Sequence, residues 1–314
     1  MTSRSKLFAP LALATALMTV GLIVFGAIVR VTDSGLGCGN SWPLCNGTIF
    51  PPLDNLTAWI EWMHRLFAAL IGVLGIITLV VAILAYRKRN RAVLWFTVAA
   101  AVLFFLQSML GALVVVMDLP PTFVTLHLGT AMLLLGSLLV AAVAALYRPA
   151  EIHKRDSVTW IVYITAALSF VIILTGALVR GSGATLACVD WPLCYGAVLP
   201  TAQGQLALIH MFHRFAVLTL GVMLIVLLWY VFSKRQQRAV RSLTIAALLL
   251  YVAQAAIGAF YVFSLGTPIW GALHVGFAAS TWGALVALCV IETLNTREQT
   301  AQAAWQPQPD PVQA

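Results

Sequence analysis

Eight long apolar stretches constrain the fold of this 314-residue chain more than any other feature. A helix needs roughly 20 apolar residues to cross the hydrocarbon core of a bilayer. Stretches of about that length or longer occupy residues 8–30, 59–86, 92–117, 122–147, 158–180, 206–232, 242–264 and 268–292. Only 9% of the residues are charged, whereas a soluble domain carries roughly 25%. The sequence therefore predicts an all-α, multi-pass protein of the cell membrane with eight transmembrane helices.

The basic residues predict how these helices are oriented, because Lys and Arg in short loops stay on the cytoplasmic side. They cluster before the first stretch and after the second, fourth and sixth, while residues 31–58, 118–121, 181–205 and 265–267 contain none. We therefore expect both termini in the cytoplasm. The net charge of +8 then reflects topology and contact with anionic lipid, not nucleic-acid binding. The tail at 293–314, rich in Gln, Pro and Ala, is predicted to be disordered in the cytoplasm.

The chain contains an internal repeat with an offset close to 150 residues. Matching segments and residues are 26–30 with 176–180, 42–45 with 191–194, 64–65 with 213–214, Gln107 with Gln254, Gly111 with Gly258, and His127 with His274. The repeat predicts two four-helix halves, at 1–150 and 151–292. Because four is an even number, both halves enter the membrane in the same direction, and a two-fold axis along the membrane normal should relate them.

Four of the six histidines recur in the repeat, near the outer ends of their helices: His64, His127, His213 and His274. Ionisable residues within a membrane are costly and are candidates for function, although a hydrogen bond between helices is the structural alternative. Two imidazoles from facing helices can hold a haem iron, whereas zinc or copper needs three or four ligands at one point. We therefore expect these histidines to be axial ligands of two haems near the extracytoplasmic surface. No Cys-x-x-Cys-His motif for covalent attachment occurs.

Four arginines lie near these histidines or at the outer ends of helices. Arg65 and Arg214 directly follow His64 and His213, while Arg30 and Arg180 end the first and fifth apolar stretches. They could pair with haem propionates or extend to lipid headgroups, and the sequence leaves both open.

The most informative difference between the halves is Glu61. It stands three residues before His64, on the same helix face, and His210 occupies the equivalent position in the second half. A buried carboxylate beside a haem could accept a proton or stabilise positive charge on the porphyrin edge, although Glu61 could also face interfacial water. We therefore assign the chemistry to the first half and electron transfer to the second. His210 is interpreted as a packing or hydrogen-bonding residue, with a third ligand as the alternative.

Two cysteine pairs lie in the outer loops, Cys38 with Cys45 and Cys188 with Cys194. The oxidising exterior favours a disulfide in each loop, and thiols that cycle during turnover are the alternative. Cys289, near the other end of the last helix, is predicted to be unpaired.

Taken together, the Gly-x-x-Val-Arg, Cys-x6-Cys, Trp-Pro-Leu-Cys and Glu-x-x-His-Arg motifs, with a second histidine in each half, resemble the haem A synthase family over residues 10–292. The resemblance implies an oxidoreductase that converts a methyl group of haem O into a formyl group by successive hydroxylations, giving haem A. It implies that haem O synthase delivers the substrate.

The resemblance also implies a role for each site residue. His64 and His127 would hold haem O and then haem A, with Glu61 as the catalytic carboxylate. His213 and His274 would bind a resident haem b that passes electrons to an acceptor not identified by the sequence. Cys188 and Cys194 would form a disulfide, and the pair of Cys38 and Cys45 would be linked to catalysis.

Two other functions remain open at this point. A non-catalytic di-haem cytochrome b that exchanges electrons with quinone would need the histidines but no haem modification. A transporter would need only the parallel repeat. Glycine-rich helices also allow close packing between protomers, so a homo-oligomer is compatible with the sequence.

Overall fold

The computed structural model describes residues 3–149 and 152–303 as a bundle of eight α-helices. The helices are α1 (Ser3–Val31), α2 (Leu56–Tyr86), α3 (Arg91–Val116), α4 (Pro121–Leu146), α5 (Ser157–Gly181), α6 (Gln205–Lys234), α7 (Arg238–Phe263) and α8 (Pro268–Ala303). Each contains a segment long and apolar enough to cross a membrane, so the prediction of eight transmembrane helices is confirmed. Within the described ranges the only β-pairing consists of two isolated bridges in the outer loops.

Local sequence signals explain where several helices begin. The side chain of Asn90 accepts hydrogen bonds from the first free amides of α3, and Asp156 does the same for α5, which satisfies donors that a helix leaves unpaired. Helices α4 and α8 both begin with a proline, at Pro121 and Pro268, whose fixed φ suits the first helical position. The two helices that carry His127 and His274 therefore start in the same way.

The helices of each half pack in the same order. Helix α1 contacts α2 and α4, and α3 contacts α2 and α4; α5 contacts α6 and α8, and α7 contacts α6 and α8. Between the halves, α4 contacts α8, α1 contacts α8 and α4 contacts α5. A two-fold axis between the halves would give this pattern. The axis itself, and the side of the membrane on which the termini lie, stay predictions.

The core lies where α4 and α8 meet at the centre of the bundle. The indole of Trp282 on α8 donates to the carbonyl oxygen of Met132 on α4 at 3.0 Å, and Met132, Leu135 and Leu285 are almost completely buried beside this contact. Helices α2, α3, α6 and α7 instead carry many exposed apolar side chains. Such outward apolar surfaces suit contact with lipid tails.

Helix α8 continues past residue 292, where the sequence predicted the start of a disordered tail. Asn295 accepts a hydrogen bond from the hydroxyl of Tyr147 at 3.0 Å and donates one to Gln237 Oε1 at 2.9 Å. The backbone amide of His153 also donates to the carbonyl oxygen of Asn295. Because these contacts tie the helix to two connecting segments, residues 147–156 and 235–237, α8 is anchored as far as Asn295, inside the segment predicted to be disordered. Disorder in the remainder of the tail stays a prediction. Residues 304–314 lie outside the described part of the chain.

A buried ion network joins α5, α6 and α8 at the end of the bundle that holds the termini. Arg235 donates to Glu292 at 3.0 and 3.1 Å and to Asp156 at 2.7 and 3.0 Å. Burial opposes the charge of Asp156, but the hydrogen bonds from Arg235 outweigh it and hold the pKa of Asp156 at about 2. Arg235 is therefore neutralised by two carboxylates, one of which, Glu292, is 0% exposed.

We expect Glu292→Gln to lower the free energy of unfolding by about 1–3 kcal/mol, because hydrogen bonds to a charged group contribute about that much and Arg235 would lose a charged partner. The thermal unfolding midpoint of the detergent-purified protein would report this loss. Asp54→Asn, which neutralises an exposed carboxylate at the opposite end of the bundle, should leave the midpoint unchanged. Equal midpoints for Glu292→Gln and the unaltered protein would contradict the assignment.

Candidate haem-binding site

Each of the four repeated histidines is seated against a glycine of the neighbouring helix. A Cβ atom added to any of these glycines would lie only 2.9 to 3.1 Å from the ring Cε1 atom, closer than nearly all real Cβ contacts. The four pairs are His64 on α2 with Gly26 on α1, His127 on α4 with Gly111 on α3, His213 on α6 with Gly176 on α5, and His274 on α8 with Gly258 on α7. The repeat-matched glycines therefore form the seats of the rings, a role that the sequence interpretation had not given them.

The two histidines of each half lie on helices that face each other across the bundle. Helices α2 and α4 both contact α1 and α3, and α6 and α8 both contact α5 and α7. That His64 with His127, and His213 with His274, form one site each stays a prediction.

Both histidines of the second half are anchored through Nδ1. The Nδ1 atom of His213 lies 2.8 Å from the hydroxyl oxygen of Thr175, and that of His274 lies 3.0 Å from the backbone carbonyl oxygen of Gln254. A carbonyl oxygen can only accept, so His274 carries its hydrogen on Nδ1 and keeps a lone pair on Nε2. A hydrogen bond to the ring nitrogen that does not bind the metal orients an imidazole toward the metal.

The histidines of the first half are held differently. Phe25 occupies the position of Thr175, and its ring stacks on His64 with centroids 6.1 Å apart and planes 7° apart. His64 Nδ1 is buried without a hydrogen-bond partner. His127 Nε2 instead lies 3.0 Å from the side-chain amide nitrogen of Gln107. The sequence already carries this difference, since Phe25 and Thr175 directly precede the matching glycines Gly26 and Gly176.

The donor set fits a haem iron. Each half offers two imidazoles from facing helices, and the Nδ1 atom of His64 is buried without a hydrogen-bond partner. Within residues 3–149 and 152–303, no group of three or more His, Cys, Asp or Glu side chains is arranged to hold a metal ion.

Glu61 is buried next to His64, with an exposed fraction of 3%. Its Oε2 atom accepts from the backbone amide of Cys38 at 2.9 Å, and its Oε1 atom forms an ion pair with Arg65. The carboxylate therefore does not face interfacial water. In the second half, His210 is also buried and lies 3.4 Å from the guanidinium of Arg214, which supports a hydrogen-bonding role for it.

Arg65 and Arg214 hold the outer loops against the helices. Arg65 Nη1 donates to the carbonyl oxygens of Ser41, Pro43 and Leu44 at 3.0 to 3.3 Å. Arg214 makes equivalent bonds to the carbonyl oxygens of Pro192, Leu193 and Cys188. Both guanidiniums are thus already engaged with the protein, and their pairing with propionates stays a prediction.

Arg30 and Arg180 meet between the two halves. Arg180 donates to the carbonyl oxygen of Arg30 at 3.0 Å and forms an ion pair with Asp33 at 3.1 Å. The Nε atoms of both arginines are buried without a hydrogen-bond partner. The pairing of these two arginines with haem propionates stays a prediction.

Disulfides close both outer loops, as predicted, and join Cys38 to Cys45 and Cys188 to Cys194. Cys289 is a free cysteine, also as predicted. The first disulfide is adjacent to Glu61 through the amide of Cys38. Its participation in turnover remains a prediction.

Comparison with known proteins identifies the family of this chain. The profile of the family described as cytochrome oxidase assembly protein matches residues 9–286. The heme A synthase of Symbiobacterium thermophilum is 32% identical over 302 residues, which cover 92% of this chain and 96% of that protein. The heme A synthase of Geobacillus kaustophilus is 31% identical over 305 residues, 93% of each chain. The chain therefore belongs to the haem A synthase family of cytochrome oxidase assembly proteins.

Proposed function

We propose that this protein oxidises a methyl group of haem O to a formyl group by successive hydroxylations, giving haem A. The substrate binds in the first half, between His64 and His127, and a resident haem b binds in the second half, between His213 and His274. Haem O synthase is the expected source of the substrate. The observation that carries the proposal is the asymmetry between two otherwise matching halves. One has a buried carboxylate, Glu61, and histidines whose Nδ1 atoms lack a hydrogen-bond partner; the other has no carboxylate at that position and histidines held through Nδ1.

In the first half, the protein supplies a fixed negative charge beside the substrate. Glu61 is held through both oxygens, by the amide of Cys38 and by Arg65. A carboxylate that is already oriented stabilises positive charge without the cost of reorganisation, and it can accept a proton from the reacting group. The loop closed by the first disulfide shields this position, since Cys38 and Cys45 are themselves completely buried.

In the second half, the protein supplies a rigid ligand pair. Thr175 and the carbonyl of Gln254 fix the two imidazole rings, and Gly176 and Gly258 let the rings approach the neighbouring helices. A resident haem b held there would supply one-electron transfer. Because both Nδ1 atoms are anchored, the ligands are oriented before the haem binds, which favours permanent retention.

The relatives do not favour the alternative of a non-catalytic di-haem cytochrome b, since those that match over nearly the whole chain are named heme A synthase.

Expression in a host that makes haem O but not haem A tests the proposed function directly. The haems extracted from membranes with and without this protein would be separated by chromatography. We expect haem A only when the protein is present. Haem O alone, together with a protein that retains haem b, would refute the synthase function and leave the cytochrome b.

We expect Thr175→Val to weaken retention of haem b by about 10- to 100-fold, the usual effect of losing the hydrogen-bond partner of a metal-binding histidine. Valine keeps the shape of threonine but removes the hydroxyl bonded to His213. The rate of haem b loss to excess apomyoglobin would measure the effect. Thr219→Val removes an exposed hydroxyl of α6 that bonds only its own helix and should change nothing. Equal rates for both variants would contradict the anchoring role.

A further inference from the structure

Gln107 on α3 contacts His127, the proposed ligand on the neighbouring helix α4. Its side-chain amide nitrogen lies 3.0 Å from Nε2 of His127. The Nδ1 atom of His127 and the Oε1 atom of Gln107 are both buried without a hydrogen-bond partner. The side chain of Gln107 therefore contacts His127 through Nε2.

The contact has a chemical consequence for ligation. With the amide nitrogen facing the ring, as here, Gln107 donates and Nε2 of His127 accepts with its lone pair. That lone pair is the one that an iron atom at Nε2 would need. Hydrogen bonding to Gln107 and coordination through this nitrogen therefore exclude each other, and Gln107 must turn away before His127 can bind iron.

The equivalent residue of the second half behaves differently. Gln254 is also buried, but it contributes only its backbone carbonyl, at 3.0 Å from Nδ1 of His274. In the part of the chain that the structure describes, its side chain makes no hydrogen bond to His274. The same residue type thus competes for the ligand nitrogen in one half and leaves it available in the other.

We propose that Gln107 competes with haem iron for Nε2 of His127 and so makes His127 the exchangeable ligand of the first half. This inference rests on the proposed function, since it takes that half as the substrate site. A substrate site must release its product, and an internal hydrogen bond that replaces the iron bond promotes release. One such bond changes an equilibrium by about two- to tenfold. Gln107 is a positioning residue in this scheme, because it acts through His127.

Haem release from the full-length, detergent-purified protein tests the proposal without measuring catalysis. The protein would be loaded with ferric haem b at both sites and mixed with excess apomyoglobin, and transfer would be followed by absorbance. We expect a fast phase from the first half and a slow phase from the second. Gln107→Leu, which keeps the side-chain size but removes the amide, should slow the fast phase about two- to tenfold and leave the slow phase unchanged.

Two variants serve as matched controls. Ser108→Ala changes the next residue of α3, whose hydroxyl bonds only the carbonyl of Phe104, and Gln254→Leu makes the same substitution in the other half. Neither should alter the fast phase. If Gln107→Leu does not fold, Gln107→Asn shortens the side chain out of reach of Nε2 and should slow the fast phase in the same direction.

The outcomes separate this inference from the proposed function. A fast phase that is unchanged or faster in the Gln107 variants overturns the inference alone. A single phase that is lost in His213→Ala but persists unchanged in His64→Ala means that the first half holds no haem, which overturns both.

Discussion

We expect Glu61→Gln to lower the rate of haem A formation by about 10²- to 10⁴-fold, the range over which a positioned acid–base group or charge accelerates a reaction. Glutamine preserves the size of the side chain and can still accept from the amide of Cys38, but it removes the negative charge and the ability to accept a proton. The haem content should remain that of the unaltered protein, because Glu61 is not a ligand. Chromatography of extracted haems over time measures the rate.

A matched control separates chemistry from loop anchoring. Asp190 pins the outer loop of the second half by accepting from the amides of Tyr195 and Gly196, and the amide of Tyr195 holds the pKa of Asp190 below its usual range. Asp190→Asn should therefore loosen a comparable loop without changing haem A formation. Haem A formation at the normal rate in Glu61→Gln, with normal haem content, would exclude Glu61 as the catalytic carboxylate.

The sequence predicted the helices well because a bilayer demands both length and apolarity. No stretch of the required length competes with the eight, and the short loops leave little freedom in the order of packing. The disulfides were also predictable, since each outer loop holds only two cysteines. Helices α2 and α6 begin three residues and one residue earlier than predicted, at Leu56 and Gln205, because Asn55 and Gly204 mark starts that an apolarity criterion alone misses.

The extension of α8 was not predictable from composition. Residues after 292 are polar, as in a disordered tail, but Asn295 and Glu292 find partners on other segments: Tyr147, Gln237 and Arg235. Such partners are distant in the sequence, and only the folded structure brings them together.

The sequence identified the four repeated histidines but not their surroundings. The repeat identified these histidines, whereas the hydrogen bonds of Thr175 to His213 and of Gln107 to His127 depend on how neighbouring helices pack. Arg65 illustrates the same limit, because the sequence left open a propionate or a lipid headgroup as its partner and did not indicate its bonds to the loop carbonyls. A residue's neighbours in sequence indicate its environment only along its own helix.

The largest expected effect concerns the four ligands, each removed in turn. His213→Ala and His274→Ala should weaken the retention of haem b by at least about 10- to 100-fold, the effect of removing only a hydrogen-bond partner of a ligand. Both variants should stop haem A formation. His64→Ala and His127→Ala should keep haem b but retain no haem O or haem A. Haem typing of each purified variant measures occupancy of the two halves separately.

His210→Ala decides between the two roles of that histidine. Its ring contacts Arg214 at 3.4 Å and takes the position that Glu61 has in the first half, so its loss should leave haem b bound. If His210→Ala loses haem b and His213→Ala retains it, the ligand on α6 is His210 and not His213. In that case the seat formed by Gly176 would be a packing contact, and the matching seats of the first half could no longer be used to assign His64 and His127 as ligands.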